Sequence, residues 1–311
     1  MAPDHGFPGH MTYRGRFAPS PTGPLHAGSL VAAVASYLDA RAHGGRWLVR
    51  MEDLDPLRES PQAADQILAS LEAHGLEWDE SVRFQSQRSA AYEELLTQWR
   101  HAGVIYPCAC SRKQLNANQG RHPGQCRDFP DWHSSEPVAL RFAVPDRTDH
   151  WNDQLLGPQH YQLQAEIDDF IVRRKEGFYA YHLAVVCDDI DQGITDIVRG
   201  QDLLELTPLH LLLYETMKEP APRYSHIPLV CNNQGQKLSK QNRAPALDDS
   251  RASDNLVHAL SMLGQKPPAE LYRSLPDAIL QWGVDNWDRS PLVGHSNAVT
   301  ENAGRNGHVH L

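Results

Sequence analysis

Three groups of residues in this sequence could do chemistry. The first lies in "RFAPSPTGPLHAGSL", residues 16–30. Gly23 and Gly28 are spaced as in a phosphate-binding loop, yet Ser29 stands where such a loop needs lysine. Glycines let a backbone approach a ligand closely, and His26 can donate a hydrogen bond to a phosphate oxygen. The alternative is a proline-stiffened turn before a core helix. The second group is Lys237 and Lys240 in "KLSKQ", a cationic pair in a polar loop. By itself such a pair is a solvated loop. The third is Cys108-x-Cys110, eleven residues, then His122-x-x-x-Cys126. Four thiol and imidazole ligands in a short polar segment suit a tetrahedral structural zinc, which would stabilise a segment with too little apolar surface to fold alone. The alternative for His122 is an ordinary loop histidine. Cys187 and Cys231 read as core or strand cysteines.

The surrounding pattern says what must position these groups. Residues 13–18 read as a strand that enters the proline-rich loop. Residues 27–42 read as a helix, with Leu30, Val31, Val34 and Leu38 at helical spacing. "RWLVRMED" reads as a buried strand ending in acids. Helices are expected over 61–74, opening on Pro61, and over 88–101. This alternation predicts a parallel α/β sheet. Its ligand site then lies where strands feed helix N-termini, which places the 16–30 loop at such a site. The pattern breaks at the Cys/Gly/Pro-rich segment, expected to be an insertion. "VALRFAV", "DFIVRR", "ITDIVRG" and "YSHIPLV" resume strand character, with a helix over "LLELTPLHLLLYETM" and two short helices at 253–263 and 269–282. The domain plan expected is a disordered leader, 1–12; a catalytic first half, 13–106; a metal-binding insertion, 107–145; a second half, 146–250; a helical segment, 251–284; and a disordered tail, 285–311.

Composition narrows the function class. Lys and Arg total 29 against 39 Asp and Glu, a formal net charge of -10. Such a chain does not coat nucleic acid non-specifically, though a local basic patch can still hold RNA. The sequence has no run approaching the ~18 apolar residues of a membrane span and no apolar leader, so no membrane partner is expected. Five cysteines without a secretory signal favour thiols and metal ligation, with the cytoplasm as default compartment.

The two lysine- and histidine-bearing stretches gain meaning as a pair. "PSPTGPLHAGS", followed far downstream by "KLSKQ", resembles the two signature motifs of class I aminoacyl-tRNA synthetases. Here they read His26-Ala27-Gly28-Ser29 and Lys237-Leu238-Ser239-Lys240-Gln241, departing from the commonest forms at Ser29 and Gln241. "RMEDLDPLR", "FYAYHLAVVCDD" and "GITDIVRGQDLL" resemble the glutamyl-tRNA synthetase lineage, so the likeness covers residues 14 to 250. The best fit is the short branch of that lineage, which has the catalytic domain but no anticodon-binding domain. The 71 residues after Lys240 are too few for such a domain beside a disordered tail.

The resemblance implies an α/β, Rossmann-like catalytic domain with a parallel sheet and a zinc-binding insertion. It implies a monomer that activates L-glutamate with ATP and Mg²⁺ without tRNA, then transfers it to queuosine in the anticodon of tRNA(Asp). By that likeness His26 and Lys240 are catalytic. Gly28 and Lys237 join them in holding ATP. Arg16, Phe17, Ala18, Pro19, Ser20, Glu52, Tyr181 and Arg199 hold glutamate. Cys108, Cys110, His122 and Cys126 hold one zinc; the family commonly has tyrosine at the position of His122, and histidine is the better ligand. The bland alternative for the pocket is a buried ion pair of Arg16 with Glu52 and core packing for Tyr181. Two other functions stay open: a truncated synthetase that charges the tRNA 3′ end, and an inactive tRNA-binding paralogue.

Overall fold

The computed structural model describes residues 12–118, 125–231, 245–294 and 299–300. Strand β1 (Arg14–Phe17) runs through the proline-rich loop into α1 (Ala27–Ala42), then β2 (Arg46–Met51), α2 (Ala63–Ala73), β3 (Arg83–Phe84) and α3 (Ser89–His101). β1 pairs in parallel with β2, and β2 with β3. α1 buries Leu30, Val31, Ala33, Val34, Ala35 and Leu38, which occupy more than one face of the helix. Its small residues let it sit between the sheet and two later helices.

The chain then leaves the parallel plan. β4 (Ile105–Cys108) is followed by the short helices α4 (Arg112–Ala117) and α5 (Gln125–Asp128). It pairs antiparallel with β5 (Ala139–Phe142). β6 (Arg147–Asp153) and β7 (Gly157–Leu163) form a hairpin that the sequence pattern did not foreshadow. Its residues alternate between half-buried and exposed, with no apolar stripe to signal a strand. Gly157 takes φ 73°, and the Asp153 carboxylate accepts from the backbone N–H groups of Leu155 and Leu156, both at 2.9 Å. β8 (Phe170–Arg173) completes the antiparallel sheet beside β5.

Helix α6 (Tyr181–Asp191) and strand β9 (Asp196–Gly200) bring the chain back to the parallel sheet. The Thr195 N–H donates to the Arg14 carbonyl at 3.0 Å, which seats β9 beside β1. After α7 (Thr207–Met217), β10 (Arg223–Ile227) pairs in parallel with β9. The spatial order is therefore β3-β2-β1-β9-β10. The order reverses at β1 and β9, where open α/β sheets bind ligands.

β11 (Val230–Cys231), α8 (Ala252–Met262), α9 (Pro276–Asp285) and β12 (Val299–Thr300) follow. The helix expected over 269–282 divides into a 3₁₀ turn, Ala269–Arg273, and α9, because Pro276 starts a helix and cannot continue one. Residues 286–294 correct the expectation of a disordered tail from 285. Arg289 pairs with Asp39 of α1 at 2.5 Å, Trp287 Nε1 donates to the same carboxylate at 2.9 Å, and Leu292 is buried. The polar composition concealed three anchoring side chains. Among the described residues no helix is long and apolar enough to cross a membrane.

Candidate active site

His26 is the N-cap of α1, and its Nδ1 accepts from the Ser29 backbone N–H at 3.3 Å. A neutral ring that accepts at Nδ1 carries its proton on Nε2, so the side chain is a donor at the mouth of a helix N-terminus. Gly28 lies in the first turn of that helix. The loop before it is tied down by its own backbone. Pro19 accepts from the Glu52 N–H at 3.0 Å, Pro21 from Ser60 at 3.1 Å, and Leu25 from Leu247 at 2.9 Å. Gly23 takes φ 148°, a region that favours glycine. Lys237 and Lys240 lie outside the described residues. The chain beyond them, at Leu247, bonds to the residue next to His26.

Beside this loop three arginines and two carboxylates cluster. Arg16 and Arg50, from neighbouring strands, both reach Asp189 Oδ1 of α6, at 3.1 and 2.8 Å. Arg16 thus pairs with Asp189, and the sequence alternative of an Arg16–Glu52 pair is not what forms. Burial alone would raise the Asp189 pKa, but the two guanidinium charges outweigh it and hold the carboxyl below its usual range. Arg50 is fully buried, and its Nη1 also donates to Gln192 at 2.9 Å. Its Nη2 stands 3.7 Å from Glu52. Burial pushes Glu52 up to about 7 despite the pull of Arg50 and Arg16. Tyr181, the first residue of α6, feels the charges of Arg199, Glu52, Arg16 and Asp189, and burial raises its hydroxyl pKa.

Arg199 differs from the other two arginines. It is buried on β9 and, among the described residues, no carboxylate forms an ion pair with it. Its Nε donates to His226 Nε2 at 3.0 Å, and its Nη2 to Thr207 Oγ1 at 2.8 Å and the Leu203 carbonyl at 3.0 Å. Its Nη1 lies 3.3 Å from His210 Nδ1, and the guanidinium sits 4.9 Å over the Tyr224 ring. His210 in turn meets His182 at 3.1 Å. Burial first, then Arg199, lowers both pKa values, His182 to about 4. Neutral histidines can accept from Arg199 without repelling it. The cluster therefore holds three buried guanidinium groups against Asp189 and a Glu52 that is only partly ionised near neutrality. A buried excess of positive charge is costly unless an anion completes it.

A separate group forms at the end of β4. The ligand atoms of Cys108, Cys110 and Cys126 lie within 4.8 Å of one another, and the Cys110 and Cys126 sulfurs are 3.8 Å apart. Zinc–thiolate bonds of ~2.3 Å in a tetrahedron separate sulfurs by ~3.8 Å, so the donor set fits zinc. Without a metal, burial and then Cys108 push the Cys110 thiol up to about 12. His122 lies outside the described residues.

Most residues singled out in the sequence converge. Arg16, Glu52, Tyr181 and Arg199 lie close enough to act on one another's charge, with Ala18, Pro19 and Ser20 on the adjoining loop. Phe17 does not face them. Its side chain is buried against Trp47, ring centroids 6.4 Å apart, on the other side of β1 from Arg16. Arg50 and Asp189 were missed. Arg50 had a signal: it stands two residues before Glu52 in a buried strand, hence on the same face. Asp189 closes the apolar run "LAVVCDD" and had none that named its partner.

Comparison with known proteins shows the family and the fold of this chain. Residues 12–263 match the family model of the catalytic domain of class I tRNA synthetases (E and Q). A Pseudomonas aeruginosa glutamyl-Q tRNA(Asp) synthetase is 52% identical over 281 residues, 90% of this chain and 95% of that protein. One from Photobacterium profundum is 50% identical over 275 residues, 88% of each chain. Among solved structures, the glutamate-tRNA synthetase of Elizabethkingia anophelis superposes with a TM-score of 0.77 at 24% identity, over 94% of this chain and 69% of that one. That likeness concerns the fold.

Proposed function

Because this chain belongs to the class I glutamyl- and glutaminyl-tRNA synthetase family, and within it to the glutamyl-Q tRNA(Asp) synthetases, we infer that it activates L-glutamate with ATP and transfers it to queuosine in tRNA(Asp). One observation carries the choice of amino acid. The pocket beside the His26 loop holds a buried cationic excess, centred on Arg199, that a dicarboxylate amino acid would complete. Glutamate carries one net negative charge, and a glutamine in its place would leave the excess uncompensated.

The division of work follows from the groups present. A glutamate α-carboxylate oxygen attacks the α-phosphorus of ATP, the bond to the bridging oxygen breaks, and pyrophosphate leaves. The protein's share is positioning and charge neutralisation. His26 Nε2–H and the α1 N-terminus, including Gly28, suit the α-phosphate region. Lys240, with Lys237, suits the charge growing on pyrophosphate, shared with the Mg²⁺ that accompanies ATP. Arg199 takes the side-chain carboxylate and Tyr181 donates its hydroxyl. Glu52, when ionised, pairs with the ammonium. Arg16 is neutralised by Asp189 and helps shape the pocket with Ala18, Pro19 and Ser20. Cys108, Cys110 and Cys126, with His122 as fourth ligand, would hold a structural zinc. In the second step a hydroxyl of the queuosine cyclopentenediol attacks the acyl carbon, loses its proton, and AMP leaves.

Two measurements test the reading. Exchange between pyrophosphate and ATP should proceed with protein, ATP and glutamate alone, and glutamine should support little. Labelled glutamate should then map to the anticodon fragment of queuosine-containing tRNA(Asp). Label on the 3′-terminal adenosine would identify a synthetase that charges the tRNA end instead.

A further inference from the structure

We propose that Asp153 and His226 form a relay that sets the orientation of Arg199, and so decides how strongly the pocket prefers glutamate over glutamine. The proposal rests on the assignment of this pocket to glutamate. The two residues come from elements outside the motifs: Asp153 ends β6, and His226 lies in β10 next to Arg199 on β9. The side chains of all three are almost wholly buried.

The bonds fix each partner's role. His226 Nδ1 lies 2.7 Å from Asp153 Oδ2. The other carboxylate oxygen accepts from Leu155 and Leu156 at 2.9 Å and from the His226 N–H at 3.3 Å. An ionised carboxylate so surrounded accepts only, so Nδ1 of His226 is the donor. A neutral ring with its proton on Nδ1 presents a lone pair at Nε2. That nitrogen is the one that receives Arg199 Nε–H at 3.0 Å. The bond at one ring nitrogen therefore selects the tautomer that the other bond needs. The aromatic shell holds the ring in place: Tyr224 stacks on His226 with centroids 5.9 Å apart, and Trp151 packs edge-on at 5.9 Å.

The arrangement explains how Arg199 can be charged and buried with no carboxylate ion pair among the described residues. A carboxylate in direct contact would satisfy the guanidinium and compete with a substrate carboxylate, as Asp189 satisfies Arg16. Asp153 acts one imidazole away. It supplies negative potential and directional restraint while leaving the pairing capacity of Arg199 to an anion. Glutamine would bury the same guanidinium against a neutral amide, so the discrimination depends on how rigidly Arg199 is held.

The relay is tested by glutamate titration calorimetry on the whole chain, alongside ATP–pyrophosphate exchange. In Asp153→Asn and in His226→Leu the glutamate Kd and KM should rise at least tenfold, the ATP KM should stay within twofold, and the preference over glutamine should shrink. His226→Gln, whose amide oxygen can still accept from Arg199, should retain more glutamate affinity than His226→Leu. Adding Asp153→Asn to His226→Leu should cost no further affinity, because Asp153 acts through the ring. Folded Asp153→Asn and His226→Leu proteins with wild-type glutamate affinity would overturn the relay. Should Asp153→Asn not fold, equal glutamate affinity in the two His226 variants would do so. A wild-type protein that binds no glutamate would overturn the function itself, and the relay with it.

Discussion

The carboxylate of Glu52, one residue past the end of β2, stands 3.7 Å from Nη2 of Arg50, two residues earlier. Burial of that carboxyl is the larger influence, and its pKa stays at about 7 although Arg50 and Arg16 oppose the rise. The folded value lies above the ordinary 4.5, so the native state binds the proton more tightly than the unfolded chain. The stability this contributes is complete at low pH and is lost as pH rises from about 4.5 through about 7. Substrate binding runs the other way, because the ammonium needs the ionised form. We expect kcat/KM for glutamate to rise through pH about 7 in exchange assays. Glu52→Gln should flatten that profile, lower kcat/KM at least tenfold, and remove the matching fall in the denaturation free energy of the ligand-free protein.

Asp189 pairs with Arg16 and Arg50 together, with all three side chains buried. Removing the carboxylate strands two cations. Asp189→Asn should therefore destabilise the protein by about 3–5 kcal/mol, measured by chemical denaturation. Glu52→Gln, which removes a carboxyl already partly protonated, should cost much less.

How much of this was legible follows from where the signals lie. Arg16 and Glu52 sit at the ends of β1 and β2 and His26 at the start of α1, where the alternation of strands and helices already points to a site. Tyr181 and Arg199 could be placed only through the family likeness, since the stretch of Arg199 reads as a strand with no chemistry and the sequence pattern assigns no element to that of Tyr181, which forms α6. Arg50 and Asp189 could not be joined, because nothing local in a strand and a helix far apart in sequence says that they meet. The β6–β7 hairpin escaped because "RTDHWND" has no apolar face, and with it went Asp153. The segment after α9 was misread for the converse reason: Trp287 and Arg289 dock on Asp39, an acid buried in a helix otherwise lined by small apolar residues.

His26 has two jobs that can be separated. As a cap it is weak, since the bond to the Ser29 N–H is 3.3 Å long. His26→Ala should cost only about 0.5–1 kcal/mol of stability by denaturant titration. As a phosphate donor it matters more, and loss of one such donor typically lowers a rate by about 10²–10³-fold. Asn is as good a cap as any residue but is too short to replace Nε2. His26→Asn should thus recover the stability and not the exchange rate.

The cysteine group gives the last expectation. Its sulfurs lie within 4.8 Å of one another at the end of β4, joined to the rest of the protein through Cys108, which is buried in the strand. Burial first, and then the neighbouring Cys108 and Cys126, push Cys110 up to about 12 when no cation is present. A divalent metal removes that obstacle by binding the thiolates, so uptake should release protons. The helices α4 and α5 are four to six residues long, too short to be stable alone. We expect one zinc per chain by elemental analysis of protein prepared without chelator. Cys126→Ser should release it and open the segment between Cys108 and Cys126 to protease, leaving the parallel sheet protected. Metal-free protein that resists protease as well as the untreated protein does would show that this segment is held by its own packing.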